Sequence, residues 1–146
     1  MNTLLHLCDE KPAAVTADAT AANAIQAMID HRVGAVAVLD SEGRVAGIFT
    51  ERDVLQKLAL SGRDPAKVPI GEVMTTPVEL ATPNTTPGEA LHEMIECHFR
   101  HLPIVDREGK LLGMLSIRHL LQWRVDELTQ QLDSMEQYVS NDAPGG

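Results

Sequence analysis

The sequence predicts an α+β protein built from two tandem βαββα units and a C-terminal amphipathic helix. Three observations carry that expectation. The stretch Gly43-Arg44-Val45-Ala46-Gly47-Ile48-Phe49-Thr50-Glu51-Arg52-Asp53-Val54 returns 66 residues later as Gly109-Lys110-Leu111-Leu112-Gly113-Met114-Leu115-Ser116-Ile117-Arg118-His119-Leu120. At the same offset, without a gap, Leu4 aligns with Ile70, Thr16 with Thr82, Thr20 with Thr86, Ala24 with Ala90, Met28 with Met94 and Asp40 with Asp106, so cap, helix face and strand end are all duplicated. Beyond Leu120, apolar residues recur in steps of four and three, the spacing of a helical seam.

Each element has its own local reason. Leu4, Leu5 and Leu7 form a short apolar segment, and after Lys11-Pro12 the run Ala13-Ala14-Val15-Thr16 reads as a short strand. Thr20 caps a helix to about Arg32 with Ala24, Ile25, Met28 and Ile29 as its apolar stripe, and Gly34 is expected to end it. Ala35 to Asp40 is a buried-type strand, Ser41-Glu42-Gly43 turns the chain, and Val45 to Phe49 runs back as the hairpin partner. Helical spacing of Val54, Leu55, Leu58 and Ala59 follows until Ser61-Gly62 stops it.

The first unit is thus expected over 1–62, a polar connector with two prolines over 63–69, and the second unit over 70–122. Thr86-Pro87-Gly88-Glu89 is a capping box with proline at the first helical position. Pro103, within His101-Leu102-Pro103-Ile104-Val105-Asp106, argues for an edge position or a strand beginning there, at the mouth of a cleft between the units. A C-terminal helix over 123–140 carries the seam Leu121, Val125, Leu128, Leu132, Met135 and Val139, to be buried in an intermolecular coiled coil or against its own domain, and 141–146 is a disordered tail.

Composition excludes several classes. A net charge of −9 without a run of basic residues repels nucleic acid, and four aromatic side chains make no base-stacking platform. No 18-residue apolar stretch or leader pattern is present, which leads to the expectation of a soluble cytoplasmic protein away from membranes. Cys8 and Cys97 fit no disulfide framework and are expected as free thiols, Cys97 as a small buried hydrophobe.

The duplicated stretch also carries the candidate site. A strand ends on a glycine that admits a close neighbour, then Thr50 or Ser116 stands at the opening of a helix, where a hydroxyl and unsatisfied N–H groups suit an anionic ligand. Simple caps at Thr50 and Ser116 and packing glycines at Gly47 and Gly113 would satisfy one copy, but duplication favours a site. His92, Glu96, His98 and His101 are the densest set of metal-ligand types; their spacing completes no binding pattern, and a solvated helix face accounts for them. No nucleophile elbow or oxyanion loop occurs, so no catalytic residues and no metal are assigned.

The order Thr16…Thr20…Ala24, Val36-Ala37-Val38-Leu39-Asp40 and Gly43-x-Val45-x-Gly47-Ile48-Phe49-Thr50-x-Arg52-Asp53 resembles the CBS domain, named after cystathionine β-synthase. The second copy resembles another, and together they cover roughly residues 4 to 122. The resemblance implies a Bateman module: two repeats about a pseudo-twofold axis, no enzymatic activity, and a regulatory adenosine-containing ligand such as AMP, ADP, ATP, NAD or S-adenosylmethionine in the cleft. It further implies that Asp53 holds the ribose hydroxyls, Thr50 the ribose or α-phosphate and Arg52 the phosphate. Val15, Thr16, Gly34 and Ala35 would line the adenine pocket, with Ile48 on the ring.

In the second copy His119 replaces that aspartate, and a neutral imidazole has one acceptor where a carboxylate has two oxygens. Ser116, Arg118, His119, Thr82, His101 and Pro103 are therefore expected to form a second site that is empty, weaker or takes a different ligand, or Arg118 and His119 to reach the phosphates of a nucleotide anchored at Asp53. The family's disc-like association implies a homodimer, and the regulated protein is a separate chain or the module's own assembly. A ligand-free dimerising scaffold is the alternative, and a small metal-dependent enzyme the least favoured reading.

Overall fold

The computed structural model describes residues 4–8 and 11–142, and both halves of the chain fold alike because the same local signals recur. In the first half helix α1 (Leu4–Leu7) is followed by β1 (Ala14–Thr16), α2 (Ala21–His31), β2 (Ala35–Leu39), β3 (Val45–Thr50) and α3, which opens over Glu51–Asp53 and continues with wider i→i+5 bonding over Val54–Ala59. Two single 3₁₀ turns, Pro65–Lys67 and Ile70–Glu72, lead into the second half. There α4 (Pro87–Cys97), β4 (His101–Val105), β5 (Leu111–Ser116) and α5 (Ile117–Asp142) repeat the order.

The helix starts follow the side chains that satisfy their orphan N–H groups. Thr20 forms a capping box with Asn23, and Thr86 forms one with Glu89 behind Pro87. The stop expected at Gly34 comes two residues earlier. Arg32 takes the left-handed conformation (φ 55°) with its N–H directed to the carbonyls of Met28 and Ile29, and the symmetry-equivalent His98 is also left-handed (φ 59°). Each hairpin is closed by an aspartate: Asp40 Oδ1 accepts the N–H groups of Glu42 and Arg44, as Asp106 Oδ1 accepts those of Glu108 and Lys110.

Two prolines make the sheets differ. In the first half β1 pairs in parallel with β2, which pairs antiparallel with β3. The bonds flanking the parallel pair run from Ala37 N–H to the Ala13 carbonyl and from Ala17 N–H to the Leu39 carbonyl. At the equivalent donor positions the second half has Pro103 and Pro83, which carry no N–H, so only Ala81 remains bridged to β4 and the sheet is β4-β5. Pro103 thus lies in the middle of β4 opposite Met114 with its side chain fully buried, not at a cleft mouth.

Packing crosses between the halves. Leu4 of α1 lies in the core of the second half with Ala90, Met94, Leu102, Ile104 and Leu115. Val68, Ile70 and Val73 lie in the core of the first half with Ala24, Val36, Phe49 and Leu58. A third cluster, Ala35, Ala37, Ile48 and Met114, joins the two sheets, and Val45 donates to the Gly109 carbonyl where the hairpin turns meet.

Some expected core residues face outward. Ile29 and Leu55 are exposed, as is Cys97, which is therefore not a buried hydrophobe. The helix expected over 123–140 is the continuation of the second unit's last helix from Ile117, and its seam is exposed along its length. Of the tail expected over 141–146, residues 143–146 lie outside the described residues. Among the described residues no helix is long and apolar enough to cross a membrane. Because Ile70 is wholly buried in the core of the first half, Ile70→Ala is expected to lower the unfolding free energy by about 2–5 kcal/mol in urea denaturation.

Candidate functional site

Two clefts open where the strand ends of one half face the loop before the central strand of the other. The larger, about 330 Å³, takes Ile48, Thr50, Glu51, Arg52 and Asp53 from the end of β3 and the start of α3, and Phe99, Arg100 and His101 from the second half. The smaller, about 170 Å³, takes Met114, Ser116, Ile117, Arg118 and His119 from β5 and α5, and Arg32, Val33 and Gly34 from the first half. The same relation at an offset of 66 residues links both sets, so the clefts are equivalent about a pseudo-twofold axis. Gly34, Arg100 and His101 line both.

In the larger cleft Asp53 is only 4% exposed and fully engaged. Its Oδ2 accepts the Thr50 N–H (3.0 Å) and the Thr50 hydroxyl (3.3 Å), which makes Asp53 the third residue of a capping box. Its Oδ1 accepts the Thr75 hydroxyl (2.9 Å) and lies 3.1 Å from Lys57 Nζ. Four donors, one of them cationic, compensate the burial of the charge. Lys57 also donates to the carbonyls of Val73 and Met74, which ties the 73–75 segment to α3.

The same segment explains Gly47. A Cβ there would stand 2.6 Å from Met74 Sδ and 3.0 Å from the Thr75 carbonyl, so the close neighbour that this glycine admits is the chain itself. The smaller cleft copies the cap with different chemistry. His119 Nδ1 lies 3.0 Å from both the N and the Oγ of Ser116, and the His119 N–H donates to Ser116 Oγ. The imidazole has thereby used the one acceptor nitrogen that would otherwise meet a sugar hydroxyl.

Charge gathers here against the trend of the chain. Arg52 and Lys57 with Arg100 line the larger cleft, and Arg32, Arg100 and Arg118 line the smaller, which has no acidic residue. In a chain of net charge −9 the smaller cleft is thus locally cationic, while Glu51 and Asp53 leave the larger one mixed in charge. Arg52 reaches across to donate to the His98 carbonyl (3.3 Å), joining the halves at the rim. His101 is held below the ordinary histidine range, first by burial and then by the charges of Arg100 and His119.

Of the residues singled out in the sequence, Thr50, Arg52, Asp53, Ile48 and Gly34 meet in the larger cleft with His101, while Ser116, Arg118 and His119 meet in the smaller. Val15, Thr16, Thr82 and Pro103 line neither. Thr16 is bonded to Asp18, and Thr82 closes a turn with Asn84 and Thr85. Ala35 borders a separate cavity with Lys11, His31 and Met114. Thr75, Lys57, Phe99 and Arg100 escaped the sequence reading, although projecting Val33 and Gly34 forward by the offset would have found the last two. His92, Glu96 and His98 are exposed, and among the described residues no group of three potential ligands could hold a metal ion.

Paired sheet-and-helix repeats with a polar cleft at each strand end define a tandem two-repeat module, and comparison with known proteins places it. The CBS domain model matches residues 6–60 and 70–126, and the chain belongs to the CBS-domain family. It is 41% identical over 117 residues to an uncharacterized 17.7 kDa protein of Acidianus ambivalens, covering 80% of this chain and 70% of that one. It is 33% identical over 128 residues to the mitochondrial CBS domain-containing protein CBSX3 of Arabidopsis thaliana, where it spans 85% of this chain and 62% of the relative.

Among solved structures, a CBS-domain containing protein from Agrobacterium tumefaciens superposes with a TM-score of 0.75 at 30% identity over 84% of this chain and 99% of that one. The CBS domain pair of protein MJ0100, solved with 5′-methylthioadenosine and S-adenosyl-L-methionine, gives a TM-score of 0.78 at 19% identity over 87% and 98% of the two chains and shares the fold.

Two outcomes test this geometry. Thr75→Val removes a hydroxyl donor from a buried carboxylate and is expected to cost about 1.5–3 kcal/mol in urea denaturation; an unchanged midpoint would show that Thr75 contributes nothing to the Asp53 network. His101 has a folded pKa below its unfolded value near 6.5, so unfolding takes up a proton. Stability is then full above that value and falls as the pH drops through it toward the folded pKa. His101→Gln should flatten that decline, and parallel curves for the two proteins would assign it to other groups.

Proposed function

We propose that the protein is a non-catalytic regulatory sensor that binds an adenosine-containing nucleotide in the larger cleft. The observation that carries this reading is the pairing, in a cleft that also holds Arg52, Lys57 and Arg100, of a helix start capped by Thr50 with the buried carboxylate of Asp53. A vicinal diol offers two O–H donors to a carboxylate, and N–H groups at a helix start with arginines suit phosphate. The methylthioadenosine and S-adenosylmethionine bound by MJ0100 support the ligand class.

Asp53 has its lone pairs occupied, so the ribose enters by exchange. The Lys57 ammonium, whose side chain is 37% exposed, is the donor that can swing away while Thr50 keeps the carboxylate in place. Ile48 and Phe99 supply apolar contact for the base, and Arg52, Arg100 and Arg118 face the phosphates. A ligand held between residues 48–53 and 99–101 stabilises one relative arrangement of the halves, and that differential affinity is the signal passed to a partner or to the module's own assembly.

The module acts in the cytoplasm as a homodimer, and the dimer is supported by equivalent exposed apolar residues, Ile29 and Leu55 in one half and Ile95 and Leu121 in the other. The saturation of Asp53 favours a second reading, a dimerising scaffold with no ligand.

Thermal melts with AMP, ADP, ATP, NAD and S-adenosylmethionine separate the two. A ligand at a hundred times its Kd is expected to add about 2.7 kcal/mol, and Asp53→Ala is expected to abolish the gain. No shift with any of the five supports the scaffold. Arg118→Ala is expected to weaken ATP more than adenosine, and equal losses would remove Arg118 from the phosphate site.

A further inference from the structure

We propose that the smaller cleft is a separate site for a free inorganic phosphate anion of the pyrophosphate class, held by Arg32, Arg100 and Arg118. This goes beyond the nucleotide reading and does not depend on it. The three arginines line one cavity of about 170 Å³. Among the described residues none of their guanidinium groups has a carboxylate partner or donates a hydrogen bond, in a chain where 21 acids stand against 12 lysines and arginines. Arg44, Arg63 and Arg124, by contrast, each hold a carboxylate. Like charges gathered without a counter-charge repel one another, and an anion bound between them relieves that repulsion.

The pseudo-twofold relation sets this cleft apart from its counterpart. At the offset of 66 residues Ile117 stands for Glu51 and His119 for Asp53, so both acids of the larger cleft are replaced by uncharged or basic groups. Arg32 stands where the second half has His98, which moves the charge in the same direction. Arg100, whose counterpart is Gly34, lines both clefts. Glu51, whose carboxylate lies beside Gly34, lines the larger cleft and not this one.

Size and chemistry select a small anion over a whole nucleotide. Pockets that enclose drug-sized ligands run to about 300–1,000 Å³, and this one measures about 170 Å³. The acceptor that a ribose hydroxyl would need is already used, since His119 Nδ1 meets the N–H and the hydroxyl of Ser116. A guanidinium offers instead a planar fork of N–H donors that matches phosphate oxygens two at a time, and three forks suit the oxygens of two linked phosphates. The 26-residue helix α5 begins at Ile117 and Arg118 in the wall of the cleft, so the positive end of its dipole adds to the same field.

The test is calorimetric titration of the full chain with inorganic pyrophosphate in magnesium-free buffer, beside a titration with ADP. Pyrophosphate is expected to bind whether or not any nucleotide does, so failure of the nucleotide reading leaves this result untouched. Arg32→Ala and Arg118→Ala are each expected to weaken it about tenfold, the loss of one charge-assisted contact. Arg107→Ala removes the same charge from the exposed turn between β4 and β5, at the other end of that hairpin from the cleft, and is expected to leave the affinity unchanged. Absence of pyrophosphate binding, binding of ADP alone, which would assign the arginines to the tail of a nucleotide, or losses in the Arg32 and Arg118 variants no larger than in Arg107→Ala overturn the proposal.

Discussion

Ile70 sits fully buried in the core of the half that precedes it, and Leu4 in the core of the half that follows. Burying such a side chain is worth about 1.5–3 kcal/mol, so each half is completed by an apolar group delivered from the other. The remaining architecture depends on this exchange. The crossing segment carries Val73, Met74 and Thr75 past β3, where the Ile48 and Thr75 backbones bridge, Gly47 leaves the room, and Lys57 fastens two carbonyls. Thr75 thereby comes to Asp53, and hydrophobic burial ends by positioning a hydroxyl on a buried carboxylate.

Symmetry then supplies two clefts, and local chemistry separates them. Thr50 with Asp53 and Ser116 with His119 solve the same capping problem, the exposed N–H groups at the start of a helix. A carboxylate solves it with one oxygen and keeps a second for Thr75 and Lys57, whereas an imidazole has no acceptor to spare. The first cleft is accordingly larger and mixed in charge, and the second smaller and cationic. Gly34, Arg100 and His101 belong to both, which gives the clefts a shared wall.

Much of this was legible because it is local. The 66-residue offset, the caps at Thr20, Thr50 and Thr86, the Asp40 and Asp106 turns and the helical seam after Leu120 each follow from neighbouring residues and elementary hydrogen-bond needs. Sequence spacing also pointed to Thr50 and Ser116 as one kind of site, since strand end, hydroxyl and helix start are consecutive, and the family resemblance added Asp53 and His119. Even the smaller sheet of the second half was written in Pro83 and Pro103, although the proline was read as a position at the cleft and not as a missing donor.

What lay outside the sequence is whatever depends on which half meets which. The family resemblance placed Val15 and Thr16 in the adenine pocket, but they line neither cleft, and the wall opposite Asp53 comes from Phe99 to His101, across the pseudo-twofold axis. Lys57 and Thr75 carried no signal, because a lysine on a helix and a threonine in a connector acquire meaning only when a buried carboxylate lies between them. The sequence by itself determined the duplication, the elements and the capped helix starts, since these rest on interactions a few residues apart. The tertiary structure alone decided the exchange of Leu4 and Ile70, the composition of the two clefts and the exposure of the α5 seam, since those rest on apolar surfaces that find each other only after the chain has folded.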